Sequence, residues 1–307
     1  MKKTYTQTTT QTRKIKALLL SMTAMLVMIL SGCGSDNKIL IGTQTFSEPK
    51  IIAQMYKLLI EDRTDLEVDV LPDLASTGVV VSAMQNKDID MGLLYSGTAF
   101  DNYFPMEQTK DRAKVFEQAQ KGFENLLNAK YYDPLGFENT YAFTVREDLA
   151  QQHHWEKISD VRDQAGNMTL GVDTTWLERG GDGYGAFKQQ YGMEFGETLP
   201  MEVSLVYGAV ATEKVDIVLA YSTDARLKEY KLKTLKDDKQ FFPPYDASPV
   251  LSNETLQKHP ELDEIVKLLV GKIDVQTMID LNYEVDVKKR NEKRVAEEYL
   301  TKIGLLQ

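Results

Sequence analysis

The sequence predicts an α/β protein made of two lobes that share a cleft, and three observations carry that prediction. The run Asp88-Ile-Asp-Met-Gly-Leu-Leu-Tyr95-Ser-Gly-Thr98 returns without a gap as Val215-Asp-Ile-Val-Leu-Ala-Tyr221-Ser-Thr-Asp224, with Asp90 on Asp216, Tyr95 on Tyr221 and Ser96 on Ser222. Helix-period segments alternate with short apolar runs along most of the chain, the pattern of helices packed on sheets. Finally, each copy of the repeat ends a strand-like run on a tyrosine. Ligands of open α/β sheets lie beyond the carboxyl ends of the strands, so each lobe offers an aromatic ring to a common crevice.

Taken in order, Lys38-Ile-Leu-Ile-Gly42 reads as a first strand, and Thr43-Gln44-Thr45-Phe46-Ser47-Glu48 leads from its end into a helix over 49–61. Gln44 is a candidate ligand contact or a helix-entry hydrogen bond. Leu66–Leu71 alternates as a strand, Ser76–Asn86 is a helix, and the first repeat copy follows. Asp111–Ala129 carries Val115, Phe116, Ala119, Phe123 and Leu126 on one stripe, which faces a core. Turns at Asp133-Pro134 and Gly136 precede Tyr141, which opens a strand over 142–145.

Short helices are expected over 147–153 and 157–164, then a strand over 168–172. Next comes Glu178-Arg179-Gly-Gly-Asp182-Gly, rich in glycine but without the Lys-Ser/Thr of a phosphate loop, and read as a structural turn with an Arg–Asp pair. A helix over 185–191, a strand over 202–205, the second repeat copy and a strand over 231–235 follow. Phe241-Phe-Pro-Pro-Tyr245-Asp-Ala-Ser-Pro-Val250, with two prolines back to back, cannot lie in a helix or a central strand, and it reads as a rigid return crossing that fixes Tyr245. Helices over 253–259, 263–269, 275–285 and 292–303 are expected to pack back on the first lobe.

The bulk composition fits this design. With 307 residues, 42% hydrophobic and 9 Pro, the chain can bury a sizeable core. Its formal charge is −10, and residues 1–32 hold five basic residues and no acid, which leaves −15 on the remainder. Such a surface repels phosphate backbones, so nucleic-acid binding is excluded. The three histidines show no metal-ligand spacing, no nucleophile elbow or metalloprotease helix is present, and no cofactor motif appears.

The amino terminus is an address. Five positive charges precede Ala17–Leu30, a charge-free stretch too short for a comfortable membrane span and typical of a secretory signal. Leu30-Ser31-Gly32-Cys33 holds the only cysteine of the chain and resembles the lipobox of bacterial lipoproteins. The resemblance implies cleavage before Cys33, lipidation of that residue and attachment to the outer face of the cell membrane. The divisions expected are a signal at 1–32, a lipidated tether at 33–37, lobe 1 from 38 to 142, lobe 2 from 143 to 240, and a return crossing with the rest of lobe 1 from 241 to 307.

What the chain does carry is tyrosine, 15 residues against 2 Trp, several of them at strand ends and turns. Tyrosines clustered in a cleft suit a quaternary ammonium group, each ring contributing about 0.5–2 kcal/mol by cation–π attraction. Gly42-Thr-Gln44-Thr-Phe-Ser-Glu48, Leu94-Tyr95-Ser-Gly-Thr98, Glu138-Asn-Thr-Tyr141, Ala220-Tyr221-Ser-Thr-Asp224 and Phe241-Phe-Pro-Pro-Tyr245 together resemble the substrate-binding proteins of bacterial osmoprotectant ABC transporters, which take glycine betaine, carnitine and choline.

The resemblance implies a type II periplasmic-binding-protein fold, two α/β lobes joined by two crossings. It implies a cage of Tyr95, Tyr141, Tyr221 and Tyr245, with Gln44 and Thr98 near the ligand's other end, and Thr98 in place of a carboxylate favours broad betaine and carnitine use over choline alone. It also implies permease subunits on separate chains, no catalysis, no cofactor and a monomeric binding protein. The alternatives left open are another small solute such as an amino acid, whose carboxylate would need Arg179, and an adhesion lipoprotein or enzyme on the same scaffold.

Overall fold

The computed structural model describes residues 37–306 except 102, 108, 179–181 and 203. The signal, the tether with Cys33, and Arg179 with its expected pairing to Asp182 therefore lie outside the described residues.

Ten strands form two five-stranded sheets. The first contains β1 (Lys38–Gln44), β2 (Glu67–Leu74), β3 (Met91–Tyr95), β4 (Ala129–Tyr131) and β10 (Ala247–Ser252). The second contains β5 (Tyr141–Arg146), β6 (Thr169–Val172), β7 (Glu197–Pro200), β8 (Ile217–Tyr221) and β9 (Leu232–Thr234). Their orders, β2-β1-β3-β10-β4 and β7-β6-β8-β5-β9, are the same arrangement twice. In each, three parallel strands meet one antiparallel strand that arrives from the other lobe.

The repeat motif explains why both halves fold alike. Asp90 stands just before β3, where its backbone N–H donates to Leu40 O and its carboxylate accepts from Leu40 N, both at 2.8 Å. Asp216 stands just before β8 and does the same to Thr169, at 3.0 and 2.8 Å. Each aspartate thus sets the register of a central strand against its parallel neighbour, and each strand then runs five residues to a tyrosine.

Side chains alternate between the two faces of each sheet, so each lobe has two hydrophobic clusters. On one face of the first sheet, Ile39, Ile41, Met91 and Leu93 meet Ile51, Met55, Tyr56 and Leu59 of the helix Ser47–Arg63. Leu262, Met278, Leu281, Val295 and Leu300 of the C-terminal helices join the same cluster. On the other face, Phe123 of the helix Arg112–Leu127 packs with Leu94, Tyr131 and Val250. The second sheet buries Phe143, Trp176, Phe187 and Phe242 on one side and Val206, Tyr207, Val210 and Val218 on the other.

Two expectations need correction. The strand expected over 202–205 lies at Glu197–Pro200, paired in parallel with β6 from Thr169↔Glu197 to Val172↔Pro200. The return segment after Tyr245 is not only a connector, because β10 lies inside the first sheet between β3 and β4, with Pro249 opposite Leu93. Proline is tolerated there because its nitrogen faces the side where the chain bends through Asp133-Pro134, and its carbonyl still accepts from Tyr132 N at 3.0 Å.

The two crossings run side by side, joined by an antiparallel bridge between Glu138 and Asp246 and by Asn139 N donating to Tyr245 O at 3.0 Å. Arg112 clamps them from lobe 1, its Nε donating to both carboxylate oxygens of Asp246 at 3.0 Å, with Glu138 at 3.6 Å. A third link, absent from the sequence reading, is the helix Val275–Asp286. It buries Met278 and Leu281 in lobe 1, packs Ile279 on lobe 2, and donates from Asn282 Nδ2 to Thr223 O at 2.9 Å.

Candidate functional site

The serines that follow the repeated tyrosines are the devices that aim the site. Ser96 Oγ donates to Pro244 O and accepts from Asp246 N, at 3.2 and 3.0 Å. Ser222 Oγ donates to Glu138 O and accepts from Thr140 N, at 3.0 and 3.1 Å. Each serine thereby pins one crossing to the end of a central strand. The residues held between these bonds, Tyr245 in one crossing and Asn139 in the other, are equivalent by the internal symmetry, and both face the same cavity.

That cavity has a volume of 440 Å³ and lies between the lobes. Tyr95 and Thr98 border it from lobe 1, Tyr221 from lobe 2 and Tyr245 from the return crossing. Tyr245 packs on the lobe 1 core, which assigns it to that lobe. Only glycine at position 97 lets its ring lie there, because a Cβ on Gly97 would stand 2.6 Å from three of the ring carbons. Phe46, exposed at the mouth and 6.5 Å from the Tyr95 ring centroid, adds a further aromatic wall that the sequence reading missed.

Tyr141 and Gln44 stand one layer behind the walls. Tyr141 stacks on Tyr221 with centroids 5.3 Å apart and planes 20° apart, and Phe242 backs it at 5.8 Å. Tyr221 is held as well through its backbone N–H, which donates to Tyr207 Oη at 3.0 Å, while the Arg226 guanidinium lies 4.0 Å over the Tyr207 ring. Gln44, fully buried, donates from Nε2 to Leu93 O at 3.2 Å and to Thr77 Oγ1 at 3.4 Å, and Thr77 in turn borders the cavity.

The electrostatics of the cavity favour a cation. Glu48, Asp224 and Asp286 border it against the single guanidinium of Arg226 among the described lining residues. Arg226 is already paired with Asp224, Nε to Oδ1 at 2.8 Å and Nη2 to Oδ2 at 2.6 Å. Burial pushes the Glu48 and Asp286 carboxyls above their ordinary range, against hydrogen bonds that hold them down, from Tyr95 and others to Glu48 and from Ser47 to Asp286. Tyr95, whose hydroxyl donates to Glu48 at 2.5 Å, is raised well above the usual phenol range by burial and then by that carboxylate. A cation brought beside such a buried acid would relieve that cost.

Among the described residues that border the cavity there is no histidine, and no group of three or more metal-ligating side chains exists among the described residues. No helix among them is long and apolar enough to cross a membrane.

Comparison with known proteins agrees with this geometry. Residues 37–302 match the family model described as the substrate-binding domain of the ABC-type glycine betaine transport system. The chain is 42% identical over 276 residues to the carnitine transport binding protein OpuCC of Listeria monocytogenes, covering 89% of this chain and 90% of that one. It is 28% identical over 305 residues to the glycine-betaine-binding protein of Pseudomonas aeruginosa, covering 96% of each. Among solved structures, a glycine betaine/carnitine/choline ABC transporter protein superposes with a TM-score of 0.84 at 41% identity, over 88% of this chain and all of the other. The chain therefore belongs to the family of substrate-binding domains of ABC-type glycine betaine transport systems, and its two α/β lobes have the type II binding-protein fold.

Proposed function

We propose that this chain captures glycine betaine, carnitine or choline in a cage formed by Tyr95, Tyr221 and Tyr245, with Tyr141 stacked behind Tyr221 and Thr98 toward the ligand's other end. Gln44 acts through Thr77. The observation that carries the reading is a cavity bordered by tyrosines from both lobes and by acids in excess of cations. The chain is the extracytoplasmic solute-binding component of an ABC importer for quaternary ammonium osmoprotectants, not an enzyme, and it works with membrane permease subunits. Those subunits are separate chains on this reading, and lipidation of Cys33 holds the protein at the membrane while the lobes open and close in water.

Contacts from both lobes make the ligand bind the closed arrangement better than the open one, which is how occupancy can be signalled to a permease. Calorimetric titration of the full chain in detergent micelles tests the reading. Glycine betaine, carnitine and choline are expected to give saturable heats, and glycine, which lacks the methylated head, none. Absence of heat with all three methylated compounds would defeat the cage reading and direct attention to amino acids. Thr98 predicts that carnitine and glycine betaine bind at least as well as choline.

A further inference from the structure

In the sequence Glu48 is one acid of a helix entry; in the structure it is the most deeply enclosed charge among the described residues that border the cleft. It is the second residue of the helix Ser47–Arg63, 1% exposed, and its carboxylate borders the cavity. Its partners are all neutral donors. Tyr95 Oη reaches it at 2.5 Å from the end of β3, Asn139 Nδ2 at 3.4 Å from the first crossing, and Asn282 Nδ2 at 3.5 Å from the helix Val275–Asp286. The Thr223 hydroxyl adds a fourth from lobe 2. The guanidinium nearest to hand, Arg226, is committed to Asp224. Asn282, itself 5% exposed and bordering the cavity, keeps its Oδ1 without a hydrogen-bond partner.

A carboxylate removed from water with no counter-charge is costly, and it is relieved either by a proton or by a cation brought to it. We propose that Glu48 is the charge-selecting residue of the cleft: its carboxylate is the counter-ion of the ligand's cationic head and, through the Tyr95 hydroxyl, fixes the Tyr95 ring in the cage. This rests on the osmolyte reading above and extends it to the choice among ligands. Choline carries a net positive charge, so the whole of its attraction to Glu48 counts. Glycine betaine and carnitine carry their own carboxylates, which Glu48 repels, so their net gain is smaller. A phenol that donates to a carboxylate also gains electron density on its ring face, which strengthens its hold on an ammonium.

Protons and ligand compete for the same group, which gives a second readout. The charged and titratable groups that border the cavity with Glu48 are Tyr95 from β3, Tyr221, Asp224 and Arg226 from lobe 2, Tyr245 from the return crossing, and Asp286 from the helix Val275–Asp286. Burial raises Glu48 above the ordinary carboxylate range, so as pH falls toward that range the free protein takes up a proton that a cationic ligand must displace, and affinity falls.

The test is calorimetric titration of the full chain in micelles, wild type, Glu48→Gln and Glu48→Asp, with choline and with glycine betaine, at pH 8 and pH 5. Glutamine keeps the volume and an oxygen that accepts from Tyr95, but not the charge. At pH 8, E48Q is expected to weaken choline roughly tenfold or more and glycine betaine several-fold less, with E48D retaining the wild-type order. The pH dependence of choline binding is expected to vanish in E48Q.

Equal losses for both ligands would reduce Glu48 to a structural part, and unchanged affinities would remove it from the site. A pH dependence that persists in E48Q would transfer the titration to Asp286. If E48Q fails to fold, the wild-type titration still decides: choline affinity that does not fall relative to glycine betaine from pH 8 to pH 5 overturns the proposal. Failure of wild type to bind either ligand is a different result, because it defeats the osmolyte reading itself.

Discussion

Replacing Tyr95 and Tyr221 together by alanine is expected to weaken glycine betaine binding about fivefold to several hundredfold, since each ring contributes about 0.5–2 kcal/mol and 1.4 kcal/mol is a factor of ten. The two rings lie on opposite lobes, so the double change removes one wall from each side of the cleft. Losing one wall leaves the ligand attached to a lobe, whereas losing both removes the reason for it to favour the closed arrangement.

Single changes separate the parts played by ring and hydroxyl. Tyr221→Ala also strips the stacking surface from Tyr141, 5.3 Å away, so it should cost more than the removal of an isolated ring. Tyr95→Phe keeps the ring and deletes the hydroxyl that donates to Glu48, so a measurable loss there reports positioning rather than cation–π attraction. Isothermal titration against glycine betaine measures all three variants. Wild-type affinity in the double variant would sink the cage.

Much of this site was legible in the sequence because the same residue types do the same jobs twice. The aspartate that sets strand register, the tyrosine at the strand end and the serine that pins a crossing recur at 90, 95 and 96 and at 216, 221 and 222, so a repeat of side chains became a repeat of structure. The amphipathic helix over 112–127 was legible from its single stripe, of which the structure buries Val115, Ala119 and Phe123 and half-buries Phe116 and Leu126, while Leu127 replaces Leu126 in the core.

What escaped depends on partners distant in sequence. Pro249 argues locally against a central strand, and only the bend at Asp133-Pro134 makes room for it. Glu202-Val-Ser-Leu205 alternates whereas Glu197-Thr-Leu-Pro200 does not, and pairing with β6, which no local pattern reveals, makes the latter the strand. Glu48 looks like an ordinary acid in the first turn of a helix until Asn282, 234 residues away, is folded against it.

Phe143→Ala is expected to destabilise the protein by about 3–5 kcal/mol, the range for truncating a large aromatic side chain in a well-packed core. Phe143 is fully buried in the middle of β5 and touches four rings, with centroids at 4.6 Å to Phe187, 5.9 Å to Trp176 and Phe195, and 6.1 Å to Phe242. Those rings come from separate elements of lobe 2 and from the start of the return crossing, so they cannot all move inward to fill the gap. The cost includes a cavity as well as lost transfer energy.

The same change reaches the cleft by a short route. Tyr141 lies two residues earlier on the same face of β5, and Phe242 packs on both Tyr141 and Phe143. A loosened Phe242 leaves Tyr141 less firmly stacked behind Tyr221, so ligand affinity should fall, but by less than when a cage ring is deleted. Chemical denaturation should show a lower midpoint with an unchanged slope, the sign of lost stability without a change in the surface exposed. A midpoint equal to that of the wild type would mean that this cluster does not hold lobe 2 together. A loss of binding as large as that of Tyr221→Ala would mean that the backing ring matters as much as the wall it supports.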